Sequence, residues 1–135
     1  MHQFDLRNRT AIITGGAQGL GLGIAKQFIE SGAEVIIWDI DQEIIKKAKQ
    51  QLNSNKLTLQ IVDVADFENV KKNIEEIIIT KKVDIFINNA GITGLTSKLW
   101  NYPIDEWHKV LNVNLNGTFY CCKAIVPHMI KNNYG

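Results

Sequence analysis

The chain has 135 residues, of which 45% are apolar and 21% charged, with a formal net charge of +1 at pH 7. That length suits one domain able to bury roughly two-thirds of its unfolded surface. The mixed, near-neutral charge makes no electrostatic case for nucleic acid or for an anionic membrane, and no apolar run approaches the ~18 residues of a spanning helix. Residues 1–5 lack the basic and apolar regions of a signal peptide, so a cytoplasmic location is expected. Cys121 and Cys122 adjoin inside a helical pattern and suit neither a disulfide framework nor a zinc site, so both are read as packing residues.

A polar lead-in over 1–8 precedes a first strand at 9–14 and a helix at 19–30, which Ser31-Gly32 ends. The second strand, 34–39, is nearly all apolar, as a parallel strand covered on both faces should be. A helix over 42–52, with Ile44, Ile45, Ala48 and Leu52 in line, breaks at Asn53-Ser54-Asn55. The third strand spans 57–62. The third helix is capped by Asp66 and carries Phe67, Val70, Ile74, Ile77 and Ile78 at helical spacing. The fourth strand, 83–87, runs into Asn88-Asn89-Ala90-Gly91 and a loop to about residue 103. One long helical pattern then covers 105–132, with Pro127 expected to kink or break it. Strands alternating with helices at short connections predict a doubly wound parallel sheet in a three-layer α/β/α domain, strand order 3-2-1-4.

Ligands of such sheets bind outside the carboxyl ends of the strands. After the first strand comes Thr14-Gly15-Gly16-Ala17-Gln18-Gly19-Leu20-Gly21, a strand, glycine-rich turn and helix in succession. The turn lets the backbone approach a pyrophosphate, and the helix N-terminus offers it free N–H groups. The G-x-G-x-x-G spacing fails, because the third glycine falls on Ile24 or Lys26, and no Lys-Ser or Lys-Thr pair makes a P-loop. After the second strand comes Asp39, 18 residues beyond Gly21, where an acid is expected to hold the adenosine ribose of a dinucleotide. An NADP 2′-phosphate at ~4–5 Å would cost on the order of 3–4 kcal/mol per unit charge at an effective dielectric of ~20, so Asp39 points to NAD.

The T-G-x-x-x-G-x-G turn, together with Asn88-Asn89-Ala90-Gly91, resembles the short-chain dehydrogenase/reductase family over the whole of residues 9–135. The resemblance implies a Rossmann-type NAD(P)-binding domain over 1–135 and an oxidoreductase acting on small alcohol or ketone substrates. It places Gly15, Gln18, Gly19, Leu20 and Gly21 around the cofactor. Asp39 and Ile40 follow strand two, Asp63 and Val64 lie at the adenine, and Asn89, Ala90 and Gly91 lie close to the cofactor. Gln18 stands where NADP-preferring relatives carry a basic residue. The matching catalytic residue is Asn114, whose backbone in the family helps hold a water of the proton relay; a mid-helix Asn is otherwise unfavourable. Family members use the last helix in a subunit interface, so a homo-oligomer is expected. Its apolar residues, Trp107, Leu111, Leu115, Phe119 and Ile130 among them, go most of the way round. Within the family the chain looks similar to 3-oxoacyl-carrier-protein reductase-like members and to NAD-dependent sugar or sugar-acid dehydrogenases.

The family's Y-x-x-x-K is not matched: Glu106 follows Tyr102 at that spacing, Ala124 follows Tyr120, and Tyr134 is next to last. The family's catalytic Ser, on the strand after the last helix, has no counterpart either. The expectation is a piece of a longer enzyme, cut before its Ser/Tyr/Lys half. Two other readings remain open: a non-catalytic NAD-binding module, and, more remotely, an S-adenosylmethionine methyltransferase suggested by Gly19-Leu20-Gly21-Leu22-Gly23. In the latter the glycines should sit at the strand end, whereas these lie inside the helix.

Overall fold

A computed structural model describes residues 4–135; the first three residues of the expected polar lead-in lie outside the described residues. The elements are β1 (Thr10–Thr14), α1 (Gly19–Glu30), β2 (Glu34–Asp39), α2 (Gln42–Leu52), β3 (Leu57–Ile61), α3 (Phe67–Thr80), β4 (Ile85–Ile87), α4 (Ile104–Leu111) and α5 (Gly117–Lys131). The strands pair in parallel in the order β3-β2-β1-β4.

Period-two alternation sorts the strand side chains into two cores. Ile12, Ile36 and Trp38 pack beneath α3 and α5 against Val70, Ile74, Cys121 and Ile125. Ile13, Val35 and Ile37 face α1 and α2 through Ala25 and Ala48. β1 lies between two strands and under both helix layers, so all five of its residues are buried. Trp38 is fully buried as well, and its indole N–H donates to Gln60 Oε1 at 2.8 Å, which satisfies its one polar atom. Asp41 caps α2 by accepting from the N–H groups of Glu43 and Ile44, and Asp66 caps α3 by accepting from Asn69 N–H.

The sheet is shorter at its β4 edge than the apolar run 83–87 implies. Val83 N–H donates to His128 Nε2 at 3.1 Å, and the Asp84 carboxylate accepts from Thr10 N–H at 3.0 Å and from Arg9 at 3.1 Å. Side chains thus replace part of the strand ladder there. The long helix is not continuous: a π-helical turn, Asn112–Asn116, separates α4 from α5. Pro127 does not end α5, which continues to Lys131. Ile125, buried two residues earlier against the α3 layer, holds the helix on the sheet despite the hydrogen bond that proline cannot donate. The loop expected to reach residue 103 contains a 3₁₀ turn at Leu99–Asn101.

Cys121 is buried and free, and desolvation, helped by neighbouring Cys122, pushes its thiol up to about 12. It is a packing residue, as expected. Gly117 opens α5 against the turn after β3, where an added Cβ would stand 2.9 Å from Val64 Cγ2 and 3.2 Å from the Val64 carbonyl oxygen. In an open helix Gly→Ala stabilises by about 1 kcal/mol; here overpacking of about 1–3 kcal/mol reverses the sign. Gly117→Ala is therefore expected to lower the thermal midpoint, and a midpoint equal to or above that of the parent would refute this tight packing.

Candidate functional site

β1 ends at Thr14, whose buried hydroxyl ties it to the end of β4. Thr14 Oγ1 accepts from the N–H groups of Asn89 and Ala90, each at 3.0 Å, and donates to the Ile87 carbonyl at 3.4 Å. Asn89 Nδ2 donates back to the carbonyls of Thr14 at 3.0 Å and Gly15 at 2.9 Å. The two strand ends approach so closely that a Cβ on Gly15 would lie 2.8 Å from Ala90 Cα; Gly15 also has φ +58°, which L side chains rarely adopt. Gly21, on the first turn of α1, packs under the same amide, 2.5 Å from Asn89 Nδ2 to the position a Cβ would take.

α1 starts without a side-chain cap. Gln18 occupies the cap position in an extended conformation and makes no capping bond, and no acid stands in the first turn. The leading N–H groups and the positive dipole end are therefore left for an anion. Nothing lies within 4 Å of where a Cβ on Gly19 would point, and Leu20 is exposed.

At the end of β2, Asp39 is only 8% exposed. Its Oδ2 accepts from Ala17 N–H in the glycine turn at 3.3 Å, and its Oδ1 from Asp41 N–H at 3.2 Å. Two backbone amides on different segments thus fix the carboxylate. After β3, Asp63 Oδ1 accepts from Ala65 N–H at 2.9 Å, and Asp63 N–H donates to Asn69 Oδ1 at 2.9 Å. Asp63 therefore shapes its own turn.

Asn114 lies within the π-helical turn and grips the chain after β4. Its Oδ1 accepts from Ile92 N–H and its Nδ2 donates to the Ile92 carbonyl, both at 2.8 Å. Its main-chain carbonyl accepts from Thr118 Oγ1 at 3.1 Å. This side-chain clamp is more than the sequence indicated, which assigned Asn114 a role only through its backbone.

These pieces enclose a cleft of about 360 Å³ at the carboxyl ends of the strands. Gly15, Gln18, Asp39, Ile40, Asp63 and Val64 line it together with Asn89, Ala90 and Gly91. Gly19, Leu20 and Gly21 stand outside the lining, on the first turn of α1, and Asn114 is one residue from Val113, which does line it. Ile92, Lys109 and Val113 join the lining without any signal in sequence spacing. Thr14 was legible as part of the T-G pattern, but its hydroxyl node was not. A larger groove of about 720 Å³ between α3 and α5 lies away from all these motifs.

The chain is 38% identical over 128 residues to a 2-dehydro-3-deoxy-L-rhamnonate dehydrogenase (NAD(+)) of Sphingomonas sp. (strain SKA58), covering 94% of this chain and 51% of that protein. It is 38% identical over 134 residues to a 3-oxoacyl-[acyl-carrier-protein] reductase of Chlamydia muridarum, covering 96% and 54% respectively. The chain thus spans about half the length of the curated relatives it matches. Among solved structures, NAD+-bound xylitol dehydrogenase superposes with a TM-score of 0.91 at 28% identity, over 98% of this chain and 52% of that one. The sequence model of the short chain dehydrogenases matches residues 9–135, through the glycine turn, Asp39 and the Asn89 junction alike, and the chain belongs to that family.

Proposed function

We propose that the protein is an NAD-dependent oxidoreductase that moves hydride between the nicotinamide and the hydroxyl or carbonyl carbon of a small alcohol or ketone. The observation that carries this reading is the fixed Asp39 carboxylate beside an uncapped α1 N-terminus, across a cleft rimmed by Asn89, Ala90 and Gly91. When bound, NAD supplies the hydride acceptor or donor. The α1 amides and the open space at Gly19 receive the pyrophosphate. Asp39, held by Ala17 and Asp41, accepts from the ribose hydroxyls and repels a 2′-phosphate, which sets NAD above NADP. Ile40, Asp63 and Val64 form the adenine side. Asn114 pins Ile92 at the nicotinamide end, and its main-chain carbonyl, which already accepts from Thr118 Oγ1, is the group assigned to the relay water.

The same reading includes a homo-oligomer in the cytoplasm. Trp107, Leu111, Leu115, Phe119, Val126 and Ile130 are exposed and recur at four- or seven-residue spacing along α4, the π-helical turn and α5. Such a stripe supports burial against a second copy. No helix of the described residues is long and apolar enough to cross a membrane.

Three tests apply to the protein as purified from its source. Asp39→Ala is expected to weaken NADH binding by about tenfold or more in a fluorescence titration and to narrow the gap to NADPH; an unchanged preference would refute the Asp39 assignment. Gly19→Val, at φ +54°, should abolish NADH binding by filling the pyrophosphate approach. If it binds NADH as the parent does, the α1 site is wrong. Asn114→Ala should lower kcat by about tenfold or more with a smaller change in NADH affinity, and equal losses in both would reduce Asn114 to a structural clamp.

A further inference from the structure

Lys109 lines the cleft from the α4 side, one turn before Val113 of the same wall. The loop 92–103 braces that helix, so the backbone that carries the side chain is fixed. Leu95 N–H donates to Tyr102 Oη at 3.2 Å, Gly94 packs against Val110, and Asn114 clamps Ile92. The charged residues of the cleft lining are Asp39, Asp63 and Lys109. Main-chain amides hold both carboxylates, Asp39 through Ala17 and Asp41, and Asp63 through Ala65. Among the described residues the carboxylate partner of Lys109 is instead Glu106 of the same helix, with Nζ 3.9 Å from Oε1. That distance is at the outer limit of an ion pair, and exposed pairs at this spacing hold weakly. The Lys109 side chain is 63% exposed, so it stands at the rim and covers no core. Neither packing nor ion pairing gives this cation of the lining a structural task.

We propose that Lys109 is a further cofactor-binding residue, whose ammonium leaves Glu106 to pair with the phosphates of the dinucleotide. Gly15 and Gln18, in the turn before the uncapped N-terminus of α1, line the same cavity, so a phosphate received there shares that cavity with Lys109. Two fixed carboxylates by themselves make the cleft repel an anionic ligand, and the ammonium offsets them. Glu106 holds the ammonium at the rim while the cleft is empty and competes with the phosphates for it. This proposal rests on the oxidoreductase reading above and adds to it a residue, and a competing partner, that set the affinity for the cofactor.

The test titrates the enzyme, as purified from its source, with NADH and NADPH by fluorescence, and with adenosine, AMP and ADP by displacement of NADH. Lys109→Met keeps the apolar stem and the helix propensity but removes the charge. It should weaken NADH and ADP about three- to fivefold at low salt and leave adenosine unchanged. At about 1 M salt most of its difference from the parent should disappear. Lys109→Arg should bind NADH within about twofold of the parent. Glu106→Gln should tighten NADH about twofold in the parent and not in Lys109→Met. Parent-like NADH affinity in Lys109→Met overturns the proposal and leaves the oxidoreductase reading standing. An equal loss for adenosine and ADP would put the ammonium at the adenosine, and a loss confined to NADPH would put it at a 2′-phosphate; either overturns the proposal as well. Failure of the parent to bind NADH or ADP would instead remove the oxidoreductase reading itself.

Discussion

The hydroxyl of Thr14 is the point on which the ligand edge of this sheet depends. It receives two backbone N–H groups from the chain leaving β4, while Asn89 returns two bonds to the carbonyls of Thr14 and Gly15. Parallel strands end in unpaired backbone groups, and burying these without partners would cost about 1–3 kcal/mol each. The Thr14–Asn89 exchange satisfies them at the wall of the cleft, where the backbone segments approach closely. The small residues there follow from this closeness, since Gly15 meets Ala90 and Gly21 meets the Asn89 amide.

A second constraint acts through the glycine turn. Ala17 N–H reaches across to Asp39, so the turn after β1 and the end of β2 are one unit. The Asp39 carboxylate is therefore preorganised by the same loop that leads into the uncapped N-terminus of α1. Asp63 plays a similar double part at the next strand, shaping its own turn while lining the cleft. At both acids one carboxylate both ties backbone amides and lines the cleft.

The third constraint is the π-helical turn. A continuous α-helix over 105–132 would present its residues at one regular angular interval; the wider turn at Asn112–Asn116 interrupts that interval where Asn114 meets Ile92. The turn links the cleft wall, the braced loop 92–103 and the apolar stripe of α4 and α5. The cofactor site and assembly, as proposed, thus share one helical element.

By itself the sequence determined the strands and helices, their parallel order, the caps at Asp66 and the break at Asn53, and the placement of Asp39, Asp63 and Asn89 after their strands. These features depend on periodicity, turn chemistry and short spacings, all local properties of the chain. Tertiary structure alone decided the Thr14 node, the Asn114 clamp and the entry of Lys109 into the cleft. It also decided the shortening of β4 by His128 and Asp84, and the survival of α5 through Pro127. Each joins residues far apart in the chain, such as Thr14 and Ala90 or Val83 and His128, and only the folded sheet order brings them within hydrogen-bond reach. Sequence spacing reports what a residue can do in its own segment, whereas the partner that satisfies a buried donor is chosen by packing.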